Sequence, residues 1–237
     1  MAMGAHTATI MPPSMGLSMG IAILMSTDAI LTLTQWLSPA FPVGAFAYSH
    51  GLETAIAAGE IKTVDQLEEW LRALSVLGGG QADIVILSAA YHATAAELSE
   101  IDQTARAFAA SAERLLETEQ QGAAFARTVD AVWGTELGSL TYPVAVARAA
   151  RAEAILLDLT ARMYLHAFAS ILISAAVRLV PLGQTDGQRL LARLAPLIQD
   201  TATRATDMSL DDLASPCFAA DIAAMQHETL YSKVFRT

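Results

Sequence analysis

The 237-residue chain is 54% hydrophobic and only 16% charged, with a formal net charge of −10, which suits one large domain or at most two. Lysine occurs only at positions 62 and 233 and no basic run exists, so the clustered cations that neutralise nucleic-acid phosphate are missing and nucleic acid is argued against as a partner. A single cysteine, Cys217, excludes an internal disulfide framework and fits a reducing, cytoplasmic compartment.

Ala and Leu dominate and aromatic residues make up 6%, the composition of packed helices rather than a β-sandwich. Residues 1–27 carry no formal charge. They lack the basic start of a secretory signal, and the apolar run 16–25 is too short to cross a bilayer. They read as a disordered extension, or as the product of an upstream start with Met25 as the natural one.

From Asp28 onward almost every segment has helical period. Asp28 caps a short helix that the Ser38-Pro39 step stops near Leu37. The next stretch, SPAFPVGAFAYSHGLE (38–53), holds two prolines and a glycine within six positions. Pro39 and Pro42 fix φ and push Ser38 and Phe41 towards extended backbone. Gly44 is free to take positive φ or to admit a close neighbour. Such a loop presents a fixed shape, which suits recognition. A helix is then expected from Ala45 to Ala58, ending at Gly59.

Thr63 and Gln66 make a capping box for a helix over 64–77 that buries Val64, Leu67, Leu71 and Leu74. Gly78-Gly79-Gly80 breaks it. Further helices are expected at 81–96, 100–109 and 111–133, with Gly134 and Gly138 bracketing a loop. Pro143 suits a first helical turn. A long apolar helix is expected over 152–179, another over 187–199 capped by Asp186, a last one from 202 to 206 or further, and a short one near 216–226. The stretch 163–177 is short for a membrane span and reads as the centre of a bundle, with small residues that would also permit a helix–helix dimer contact. The fold class is therefore all-α, one helical-bundle domain of about nine to ten helices over 28–237.

Phosphate-binding loops, HExxH, CxxC and GxSxG are all missing from the sequence, so no catalytic site is expected. His50 and Glu53, three apart, could share a helix face, as could Arg162 and His166, but two ligands make at most a weak metal site. Cys217 reads as a small semi-buried hydrophobe rather than a thiol nucleophile. Asp211 and Asp212 read as a solvated helix start.

Three segments combine turns with polar groups: 38–53, the stretch RLVPLGQTDGQ (178–188) and the tail MQHETLYSKVFRT (225–237). On these the chain resembles the UreF family of urease accessory proteins. That family carries a Pro-Ala-Leu-Pro-Val-Gly loop running into Gly-Leu-Glu, matched by 38–53, and an Arg-Leu-x-Pro-Leu-Gly-Gln-x-x-Gly-Gln segment, matched by 178–188. It closes on His-Glu-x-Leu and Arg-Leu-Phe-Arg-Ser, resembled by 227–230 and 233–237. Phe41 stands where the family has Leu. Lys233 stands where it has Arg, which removes a bidentate fork.

The resemblance implies an all-α protein without catalysis or cofactor of its own. It implies a homodimer that bridges UreD (also called UreH) and the nickel-carrying GTPase UreG, gates GTP hydrolysis, and serves nickel delivery to the urease apoenzyme. It also implies a tail, about 216–237, that orders when UreD binds. The candidate partner-binding residues are Pro42, Gly44, Tyr48, His50, Gly51, Glu53, Gln184, Gln188, His227, Glu228, Leu230, Phe235 and Arg236. Tyr48 and Glu53 are expected to face a partner, while Pro42 and Gly44 shape the loop. Two other classes compete. An all-α enzyme or cofactor binder would use His50 or His166 as a haem or metal ligand. A helical ligand-responsive regulator would need a basic recognition helix, which the charge balance argues against.

Overall fold

A computed structural model describes residues 27–236. The expected extension over 1–27 lies outside these residues, except for Thr27. Among the described residues there is no strand. Helix α1 spans 27–36. A 3-10 turn follows at Ala45–Ala47, then α2 (Leu52–Ala57), α3 (Val64–Leu77), α4 (Gly79–His92), α5 (Leu98–Ala107), α6 (Ala112–Trp133), α7 (Tyr142–Ala152), α8 (Leu157–Leu179) and α9 (Gln184–Thr206). A second 3-10 turn at Leu210–Asp212 leads to α10 (Phe218–His227).

Helix α4 occupies the centre, against α3, α5, α7, α8 and α9. Its run Ile84-Val85-Ile86-Leu87 is buried on all sides, as expected of a helix without a polar face. Helices α8 and α9 pack along each other, and α10 closes over α2 and α6. Trp36 is fully buried and meets Phe125 and Trp133 edge-on, at centroid separations of 5.6 and 5.4 Å. Each such side chain contributes up to about 3 kcal/mol through apolar burial.

The capping box behaves as its sequence dictates: Thr63 accepts from the Gln66 amide, and the Gln66 side chain accepts from the Thr63 amide. Ser111 likewise caps α6. Several boundaries differ from expectation. Asp28 lies inside α1 rather than at its cap. The helix expected over 45–58 is split, because Tyr48 is extended and both His50 (φ 51°) and Gly51 (φ 75°) are left-handed. Gly78 alone breaks the chain between α3 and α4, and Gly79 and Gly80 begin α4.

The helix expected over 152–179 starts at Leu157, after a turn with Ala154 at φ 53°. Gly183 rather than Asp186 takes the cap position of α9. The two helices expected after it are one, which runs through Pro196. The stripe of Leu190, Leu191, Leu194, Ile198, Ala202 and Ala205 is buried along its whole length and outweighs the amide bond the proline removes. At 23 residues α8 is longer than its fifteen-residue apolar run suggests, and long enough to cross a bilayer. Half of its most apolar window is buried inside the domain.

Candidate partner-binding site

The three turn-rich segments lie far apart in sequence and meet in space. Arg178 joins them: its guanidinium carbon sits 5.6 Å from the Phe46 ring centroid and 6.0 Å from that of Phe235, within cation–π range. The tail runs back across the domain, where the Arg236 amide donates to the Ala47 carbonyl at 2.6 Å. Its side chain and the Tyr48 hydroxyl share Gln120 Oε1 as an acceptor, at 3.3 and 3.1 Å. Burial raises the Tyr48 pKa against the lowering effect of Arg236.

Glu53 is the anchor of the tail. Its Oε1 accepts from the Val234 amide at 2.6 Å and its Oε2 from the Phe235 amide at 2.8 Å. His227, with no exposed surface, lies between two carboxylates: Nε2 is 3.1 Å from Glu53 and Nδ1 is 2.6 Å from Glu113. Lys233 Nζ donates to the other Glu113 oxygen at 2.7 Å and to the Glu228 carbonyl at 3.2 Å. Lysine thus keeps an ion pair at this position without a bidentate fork. Glu228 accepts from the Ala112 amide at 2.9 Å, a carboxylate at the start of α6 where the helix dipole favours it.

One turn further along α6 lies a second buried network. Glu117 contacts His50 Nε2 at 3.1 Å and Arg114 at 3.2 Å. Arg114 also donates to both Asp83 oxygens, at 3.1 and 2.9 Å, and the Tyr164 hydroxyl donates to Asp83 at 2.8 Å. Burial alone would raise the Glu117 pKa, but the charges of His50 and Arg114 outweigh it and hold the carboxyl below its ordinary value. Burial and the Asp83 charge together push the Tyr164 hydroxyl well up. The Phe168 ring sits edge-on to His50 at 4.9 Å. These pairs tie the 48–53 bend to α4, α6 and α8.

Sequence-derived candidates therefore divide in two. Tyr48, His50, Gly51, Glu53, His227 and Phe235 face inward when the tail is docked, His50 with its side chain 10% exposed. Gly51 packs so closely under α10 that a Cβ there would lie 2.8 Å from the Ala224 nitrogen and 2.9 Å from the Ala220 oxygen. Pro42, Gly44, Gln184, Gln188, Glu228 and Arg236 are exposed, and Leu230 is half-buried. Gly44 takes φ 75° with open space around it, so its role is the turn. Gln184 and Gln188 line a cleft with Pro39, Phe46, Ser170 and Ser174. His166 is exposed on α8.

Sequence reasoning missed Asp83, Glu113, Arg114 and Glu117. Charged residues on helices normally read as solvated faces, and only Glu113, Arg114 and Glu117 falling within one turn and a half of α6 hints otherwise. It also missed the exposed apolar stripe of α10, where Phe218, Ile222 and Met225 are 70%, 52% and 52% accessible. Their i, i+4, i+7 spacing marks one helix face. Tyr231 and Val234, also exposed, follow in the tail.

A family model described as UreF matches residues 61–195. A Roseobacter denitrificans protein named urease accessory protein UreF is 60% identical over 215 residues, covering 91% of this chain and 97% of the relative. A namesake from Ruegeria sp. strain TM1040 is 55% identical over 214 residues, 90% of this chain and all of the relative. One from Ruegeria pomeroyi is 49% identical over 209 residues, 88% and 96% of the two chains.

Proposed function

This chain belongs to the UreF family of urease accessory proteins, and we propose that it acts as a non-catalytic adaptor in maturation of the urease nickel centre. It holds UreD and the GTPase UreG in register beside the urease apoenzyme and biases UreG between its nucleotide states, so that GTP hydrolysis accompanies nickel release. It does so as a cytoplasmic homodimer. Nickel is the cargo of the assembly, and the proposal needs no metal or cofactor of the chain's own.

The observation that carries this reading is the convergence of the three segments on Arg178, Glu53 and the docked tail. Beside that junction lie the exposed apolar residues of α10 and the tail, a surface of the kind that marks a partner contact. UreD captures the docked conformation of the tail, and the loop at Pro42 and Gly44, with the cleft of Gln184 and Gln188, supplies further partner contacts. His50 Nε2 and both ring nitrogens of His227 face carboxylates, which favours a structural use of both side chains over ligation.

Reconstituted urease activation with and without this chain tests the proposal. Activation that depends on the chain, at fixed nickel and GTP, is the expected result. Equal activation in its absence overturns it.

A further inference from the structure

Both ring nitrogens of His227 lie within hydrogen-bond distance of a carboxylate, and the side chain has no exposed surface. Both contacts are hydrogen bonds only when both nitrogens carry protons, because ionised carboxylates accept and do not donate. The charged groups facing the ring are Glu53 from α2, Glu113 from α6 and, bonded to Glu113, Lys233 from the tail. Glu228 at the end of α10 points instead to the start of α6. With an imidazolium, two positive and two negative charges balance. Removal of one proton sets a nitrogen lone pair against a buried carboxylate and leaves a net negative charge in the cluster, an arrangement that burial makes unfavourable.

Glu53 is shared. The carboxylate that meets His227 is also the one that receives the Val234 and Phe235 amides. Whatever displaces Glu53 from the ring loosens the seat of the tail.

We propose that His227 is a protonation-dependent latch: the bridging imidazolium between Glu53 and Glu113 holds the C-terminal tail on the domain, and loss of its proton releases residues 233–236. The tail is then a two-state element whose docked population falls as pH rises, and a partner that selects the docked form binds more weakly. The latch itself stands on the geometry of this chain and is testable without any partner.

The test is hydrogen–deuterium exchange of the Val234 and Phe235 amides in the full chain, corrected for the intrinsic rate, at about pH 5.5 and about pH 8.5, a span over which histidine side chains in general change charge. The unaltered chain should lose about tenfold in protection across that interval, the equivalent of one charge-assisted hydrogen bond. His227→Gln should show weaker protection that does not change with pH. Glu113→Gln should stay protected at the upper pH, since a neutral ring can donate to Glu53 and accept from the introduced amide. Amides of α4 serve as the folding control. A flat response in the unaltered chain overturns the latch. So does a tail unprotected at both values, or the same slope in the unaltered chain and Glu113→Gln.

Discussion

Glu53 shows how one side chain ties distant parts of the sequence together. Its carboxylate meets a ring 174 positions away and amides 181 and 182 positions away, and it is nearly inaccessible to solvent. Glu53→Gln keeps the shape but turns an NH2 towards groups that need an acceptor. It should weaken tail docking by about 3 kcal/mol, seen as rapid proteolysis after Lys233 or Arg236 while helix content is unchanged. Glu117 belongs to the fold rather than to the tail. Glu117→Gln leaves His50 without its carboxylate and Arg114 with Asp83 alone, and should lower global stability by about 3 kcal/mol in urea denaturation. The pH sign follows from its depressed pKa. Stability from this carboxylate is fully present above the unfolded value of about 4.3 and is lost as pH falls through the folded value. Stability measured against pH should therefore have a shallower acid limb in Glu117→Gln than in the unaltered chain.

At the scale of elements, backbone approach decides what packs. Gly51 lets α10 lie against α2, and Gly51→Ala combines a left-handed φ with a clash against the α10 backbone. It should displace α10 and the tail together, at a stability loss of about 2 kcal/mol, with exposure of Phe235 read by tail exchange. Gly122→Ala is harsher. A Cβ there would lie 2.0 Å from the Leu140 carbonyl oxygen, a rigid neighbour, so thermal unfolding should show a larger loss or no folded protein.

Such contacts separate what the sequence made legible from what it did not. Capping at Thr63 and the apolar period of α3 are local and were readable. At the break over 48–51, Gly51 lies close under α10, a tertiary contact that no local pattern signals. Continuity of α9 through Pro196 was hidden because a proline reads as a stop, while the buried stripe that overrides it is a tertiary effect. Of the candidate residues, the motifs located Glu53, His227 and Phe235, but not that they bind one another. Their partner Glu113 was invisible, since a glutamate in a first helical turn is explained by the dipole alone.

As a whole molecule, the helical domain is a mount for a loop, a cleft and a tail that meet around Arg178. Rigidity comes from α4 at the centre and from the ion pairs joining α4, α6 and the 48–53 bend. Partner selectivity is assigned to the exposed residues around that mount. Phe218→Ser with Ile222→Ser removes apolar side chains that are more than half accessible, so it should cost about 1 kcal/mol of stability or less yet weaken UreD binding at least about tenfold, as read by calorimetric titration. The most direct measurement of the central claim is size-exclusion chromatography with light scattering on the purified chain, UreD and UreG from one organism. The account predicts a stable complex with UreD that then captures UreG. No complex under any nucleotide or nickel condition would contradict it.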